Sequence, residues 1–188
     1  LIKFVIITII MFLFYMFFFY GTIVKFLTNI NPYDFFKSIK ETVIFAFFSS
    51  SSSATMPLTL KTAEINLNIK KEISSFVIPI GATVNMDGSA IYLGLSAIFV
   101  SQLIGLDLSI SEYIIISLTA TIGSIGAAGV PSVALVMMTI VFTSVGIPIE
   151  AIAIVAGVDR LLDMFRTAIN VTGDLTIAKI IDSVNKIG

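Results

Sequence analysis

The sequence predicts an all-α membrane protein with broken transmembrane helices and an inverted repeat of two re-entrant helical hairpins. Three observations predict it. The 188 residues are 57% hydrophobic and 12% charged, against roughly a quarter charged in a soluble domain, so the surface is built for lipid rather than water. Two apolar hairpins turn at matching small-residue, proline-containing tips, within 49–57 and 123–131. The last apolar segment carries a row of polar and ionisable side chains, which a bilayer accepts only where they face a site or an internal partner.

The elements follow in order. Residues 1–28 are almost wholly apolar, interrupted by Lys3 and Lys25, and exceed the roughly 20 residues that a span requires. The run is too long for a signal-peptide core and lacks a basic leader and cleavage site. A start at Leu1 without Met predicts further chain upstream, with N-terminal scaffold spans absent here. Residues 33–67 read as the first hairpin. A helix over 33–48 is basic at its start (Lys37, Lys40) and apolar at its end. Five serines, Ser49 to Ser53, and Ala54-Thr55-Met56-Pro57 follow, then a return helix over 58–67. Residues 73–106 read as a span broken at Gly81 and at Asn85-Met86-Asp87-Gly88. Residues 110–145 read as the second hairpin, with half-helices 110–122 and 132–145, and residues 150–181 as a polar final span.

The last four parts are one unit used twice: a hairpin, then a span with an Asn near a Gly–Asp element (Asn85 to Gly88, then Asn170 to Asp174). Interrupted apolar segments at matching places in two halves point to a transporter binding site. Lys25, Lys37, Lys40, Lys61, Lys70 and Lys71 cluster at the base of the first hairpin, whereas the second base carries only Asp107, Glu112 and Glu150. Positive-inside bias then places the two bases on opposite faces, with Lys179 and Lys186 returning the C-terminus to the cytoplasm.

There is no Cys and no His. Disulfides, thiolate or imidazole metal sites and Ser-His or Cys-His nucleophiles are therefore excluded. An intramembrane serine hydrolase would have only Lys61 as a nearby base, at the wrong depth. No basic cluster with interleaved aromatics suggests nucleic acid.

Along the final span, Asp159, Asp163, Arg166, Thr167, Asn170 and Asp174 fall within an arc of roughly 100°, with Lys179 on the far side. The plain alternative is that these charges pair to hold helices together, Asp163 with Arg166 or Arg160. The sharper reading is a site for a zwitterion with an extra carboxylate. A guanidinium forks onto a carboxylate, Asp accepts from an ammonium, and Asn donates to a second carboxylate. Five serines are commonly a flexible linker. Here they lie at membrane depth, where irregular backbone is tolerated only if it lines a cavity or is buried in protein, and a helix starting near Ser53 offers N–H groups to an anion. Unwound carbonyls around Gly81 and Asn85, with Asp87, and the matching Asn170 and Asp174, offer hard oxygens to a small cation.

The stretches Ser51–Pro57, Gly81–Ser89, Ser124–Pro131 and Asp163–Asp174 make the chain resemble the dicarboxylate/amino acid:cation symporters, which include the glutamate transporters. The resemblance implies a transport domain that moves like an elevator against a homotrimeric scaffold. It also implies a multi-pass place in the cell membrane, with an acidic amino acid, sodium ions and the lipid bilayer as partners and Na+ without an organic cofactor. Arg166 would hold the substrate's side-chain carboxylate and Asp163 its amino group. Asn170 with Ser51, Ser52 and Ser53 would hold the α-carboxylate, and Thr167, Ser89 and the backbone at Val130 would complete the pocket. One sodium would sit on Asp174 with carbonyls of Gly81, Asn85 and Asn170. A second would use carbonyls of Thr83, Ser124, Ile125 and Ala127, and a third Asn85 and Asp87 with residues from an absent span.

The chain departs from the family at Ser50 and Met164, either of which is arginine in some members; Arg160 is the candidate to take over that charge. Ser89 stands where threonine is common. A neutral amino-acid symporter, proton coupling, and an inactive truncated product are the alternatives. The first is disfavoured because Arg166 without a substrate carboxylate would be buried unpaired.

Overall fold

The computed structural model describes residues 1–125 and 129–185, and the regular elements among them are all helical. Helix α1 (Ile2–Phe14), one wide π turn (Tyr15–Phe19) and α2 (Tyr20–Leu27) form a continuous rod. Asn31 caps α3 (Pro32–Ser49) by accepting from the Tyr33 N–H, and Pro32 takes the first position, where no donor is needed. The turn to α4 (Ser52–Lys61) passes through Ser50 in the left-handed region (φ 51°), and Ser51 caps α4 by accepting from the Ala54 N–H at 3.1 Å. Pro57 sits inside α4 and leaves the Ser53 carbonyl without its helical partner. The return helix thus begins six residues earlier than its 58–67 expectation, because serine hydroxyls supply its first-turn bonds.

Helix α5 (Lys71–Val84) and α6 (Asp87–Leu103) are separated only at Asn85 and Met86. Gly81, expected as a break, is helical and buried. Its role is close approach: a Cβ there would run into the Asp174 carboxylate. Helix α7 (Ile110–Ser124) opens with a reciprocal capping box between Ser109 and Glu112. Helix α8 (Val133–Ser144) follows, then a 3-10 turn (Ile149–Ala151) into α9 (Ile152–Val184).

Helix α9, about 50 Å long, is the pillar of the molecule. One apolar core joins its first half (Val155, Leu162, Ile169) to α1, α6, α7 and α8; a second joins Val171, Leu175 and Ala178 to α2, α3, α5 and the turn after α4. From Arg166 to Thr176 every residue is buried. The polar stripe is therefore enclosed, with apolar residues packed on the opposite side of the same helix. Lys179 is likewise buried: its Nζ donates to the Leu67 carbonyl (2.9 Å) and lies 3.8 Å from Asp182. It ties α9 to the turn after α4, and Lys186 lies outside the described residues.

Outward-facing Ile2, Ile6, Ile10, Phe14 and Phe17 on the first rod and Ile110, Ile114, Leu118 and Ile122 on α7 are exposed. Apolar faces on that scale are not left to water. Among the described residues, Ile2–Leu27 and Lys71–Leu103 are long and apolar enough to cross a membrane.

Candidate substrate and cation site

The two tips meet. Ser51 Oγ donates to the Gly129 carbonyl at 2.7 Å, and the Ser53 N–H reaches the same oxygen at 3.2 Å. Gly129 permits this approach, since a Cβ there would lie 2.8 Å from Ser53 Oγ. Beneath the contact is a small pocket lined by both tips, the α5–α6 break and α9. The first tip supplies Ser50 and Ser52, the α5–α6 break supplies Met86 and Ser89, and the second tip supplies Gly129, Val130 and Val133. Helix α9 supplies Asp163, Arg166, Thr167 and Asn170.

Arg166 is the floor. It is 2% exposed, pairs with Asp159 (3.2 Å) and Asp163 (2.5 Å), and stacks over the Tyr92 ring at 4.7 Å. Residues 159, 163 and 166 share one helix face, which makes this clamp a local product of helical period. The other Asp163 oxygen accepts from the Ser132 N–H at 2.8 Å and so fastens the second tip to α9. Asn170 Oδ1 accepts from the Gly88 N–H at 2.9 Å and its amide contacts Met86 Sδ. A Cβ at Gly88 would lie 2.6 Å from the Arg166 carbonyl, so the start of α6 rests directly on the backbone of α9.

One level below, Asn85 Nδ2 donates to Asp174 Oδ1 (3.0 Å) and reaches the Asn170 carbonyl (3.4 Å). Asp87 Oδ2 accepts from Tyr20 (2.7 Å) and Tyr15 (3.0 Å). Among the described residues no three acidic side chains converge as a divalent ion would want. Asp174 and Asp87 instead each stand as a single carboxylate held by neutral donors, the Asn85 amide and the two phenols.

The profile of the Sodium:dicarboxylate symporter family matches residues 1–184. Relatives include Excitatory amino acid transporter 3 of Mus musculus, 47% identical over 156 residues (83% of this chain, 30% of the relative). Others are an Excitatory amino acid transporter of Caenorhabditis elegans, 45% identical over 159 residues (85% and 32%), and Excitatory amino acid transporter 1 of Rattus norvegicus, 46% identical over 159 residues (85% and 29%). The chain belongs to the sodium:dicarboxylate symporter family. It spans about a third of the length of these relatives. The family is one of membrane transporters and not of enzymes.

Within this chain, Ser52, Ser89, Val130, Asp163, Arg166, Thr167 and Asn170 line the pocket together. Ser51 and Ser53 do not: the Ser51 hydroxyl is occupied by its cap and by Gly129, and the Ser53 side chain is exposed. Gly81, Asn85, Asn170 and Asp174 cluster around the Asn85 amide. Ser124 and Ile125 share a separate, more open cleft with Asn85 and Asp87. Thr83 is exposed, and its hydroxyl donates to the Ile80 carbonyl of its own helix. Ala127 lies outside the described residues.

Two members of the site escaped sequence reasoning in their roles. Ser50 lines the pocket, and its buried hydroxyl has no partner among the described residues; a single serine within a run of five carries no signal that separates it from the rest. Asp159 was visible on the polar stripe, but its part in pairing Arg166 depends on rotamers that spacing alone does not set. Arg160, the candidate substitute cation, is exposed and points away from the pocket, since it follows Asp159 by about 100° around α9.

Proposed function

We propose that this chain forms the substrate and ion sites of a sodium-coupled symporter for acidic amino acids, glutamate or aspartate. Arg166 carries the reading: a fully buried guanidinium lies where both tips, the α5–α6 break and α9 converge. A substrate carboxylate would take up its fork in exchange for one of the two aspartates, and Asp163, released from that pair, would accept from the substrate ammonium. Asn170, Thr167, Ser89, Ser52 and the Val130 backbone would complete the contacts. The relatives' names as excitatory amino acid transporters support the same substrate class.

Sodium coupling follows from charge. Asp87, Asp159, Asp163 and Asp174 outnumber the one arginine, and an acidic amino acid adds a further negative charge. Charge buried without compensation is costly. Cations on Asp174 (with Gly81, Asn85 and Asn170 carbonyls), on Asp87 with Asn85, and near Ser124 and Ile125 would supply the compensation, which links substrate affinity to sodium.

In this reading residues 33–67 and 110–145 are re-entrant hairpins that enter from opposite faces of the cell membrane, and residues 1–28, 73–106 and 150–181 are its spans. The whole forms the mobile part of an elevator-type, multi-pass homotrimer. The test is uptake of labelled aspartate into proteoliposomes by the full-length protein, with and without a sodium gradient. Sodium-driven uptake is expected; sodium-independent uptake would overturn the reading.

One observation favours a second reading. Arg166 is already paired by Asp159 and Asp163, so it is not left unpaired in the absence of a substrate carboxylate, and the objection to a neutral amino acid is weaker than the sequence suggested. Uptake of serine without uptake of aspartate would select it.

A further inference from the structure

The first rod contains an irregularity that the substrate pocket does not use. Between Tyr15 and Phe19 the helix widens into a π turn, closed by the Tyr20 N–H donating to the Tyr15 carbonyl. In a regular helix two residues five apart point about 140° away from each other. A turn closed by an i→i+5 bond brings them into register instead, and such turns concentrate at functional sites. The result is specific. The two phenol rings sit edge to face, 5.2 Å apart, and both hydroxyls donate to the same oxygen, Asp87 Oδ2, at 3.0 Å from Tyr15 and 2.7 Å from Tyr20. Tyr15 is braced by stacking on Phe19 at 4.5 Å. Tyr20 is 2% exposed and reaches in over Gly173, where a Cβ would collide with both its hydroxyl and the Asn85 amide. Asp87 itself lines the open cleft together with Tyr15, Asn85, Thr121 and Ser124.

We infer that the π turn is a positioning device for a cation at Asp87: it sets Tyr15 and Tyr20 as paired donors on one carboxylate oxygen and leaves the other for the ion. The inference rests on the reading of Asp87 as a sodium ligand. The phenols keep the carboxylate oriented and its charge partly compensated before the ion arrives, which lowers the reorganisation that binding requires. Tyr15 and Tyr20 are positioning residues and do not themselves touch the ion.

The test is sodium binding to the purified full-length protein without amino acid, followed by calorimetry, with lithium titrated in parallel. Tyr20→Phe, which removes the shorter bond and keeps the ring, is expected to weaken sodium binding by about tenfold or more, near the lower end of the range for a hydrogen bond to a charged group, and Tyr15→Phe, with the longer bond, by less. The sodium-to-lithium preference should shift as well, because a carboxylate free to rotate no longer sets the ion–oxygen distances; a purely structural role would not move it. In an Asp87→Asn background Tyr20→Phe should have no further effect. Unchanged sodium affinity in both tyrosine variants, with Asp87→Asn strongly impaired, would overturn the inference alone. An undiminished Tyr20→Phe effect in the Asp87→Asn background would do the same. Unchanged sodium affinity in Asp87→Asn would remove the underlying reading, and the inference with it.

Discussion

The two tips that close over the pocket perform the same turn by different means. The first is tied by its own hydroxyls: Ser51 caps α4, Thr55 Oγ1 donates back to the Ser51 carbonyl at 2.8 Å, and Ser49 lies within 3.2 Å of Thr55. The second has no side-chain cap at Ser132, and its described residues bond to the Asp163 carboxylate and to the first tip. Both pass through a serine in the left-handed region, Ser50 at φ 51° and Ser132 at φ 60°. One tip is thus stable from local sequence, and the other depends on tertiary partners.

Removing the external anchor should separate the two most. Asp163→Ala leaves Arg166 half-paired in a buried site and detaches Ser132, with an expected stability loss of about 3–5 kcal/mol. Hydrogen exchange should rise across 129–135 while 49–57 stays protected; equal deprotection of both tips would break the comparison. Next in size is Gly129→Ala, which forces the tips apart at Ser53 and should cost about 1–3 kcal/mol. A disulfide trap between cysteines introduced at residues 53 and 130 should form more slowly in that variant. A third pair of variants tests the caps. Ser51→Ala should cost about 1 kcal/mol in thermal unfolding and Ser132→Ala much less, because only Ser51 accepts from a first-turn N–H; equal losses would contradict the asymmetry. Smallest is Ser132→Gly, expected to be neutral or to stabilise by about 0.5 kcal/mol, since glycine adopts positive φ without steric penalty.

The same division separates what was legible in the residues from what was not. The polar row from Asp159 to Asp174 was readable because helical period alone places those side chains on one face. Ser52, Asp163, Arg166, Thr167 and Asn170 follow from it and from the serine tip. Gly81 was misread as a break, since a glycine in an apolar run signals a kink and close packing equally; the Asp174 carboxylate above it decides for packing. Lys179 was visible as a charge on the far side of α9 from the polar row, with Asp182 as its i,i+3 neighbour, but its Leu67 partner lies 112 residues away and no local pattern announces it.

By itself the sequence determined the lipid-facing composition, the all-helical character and the family that its four motifs resemble. These depend on local period and on residue type. Only the tertiary structure decided that Asp159 shares Arg166 with Asp163, that Ser51 spends its hydroxyl on Gly129 and leaves Ser50 to face the pocket, and that two tyrosines of the first rod converge on Asp87. Each joins side chains through a rotamer or across elements far apart in the chain, and spacing along a sequence carries no information about such choices.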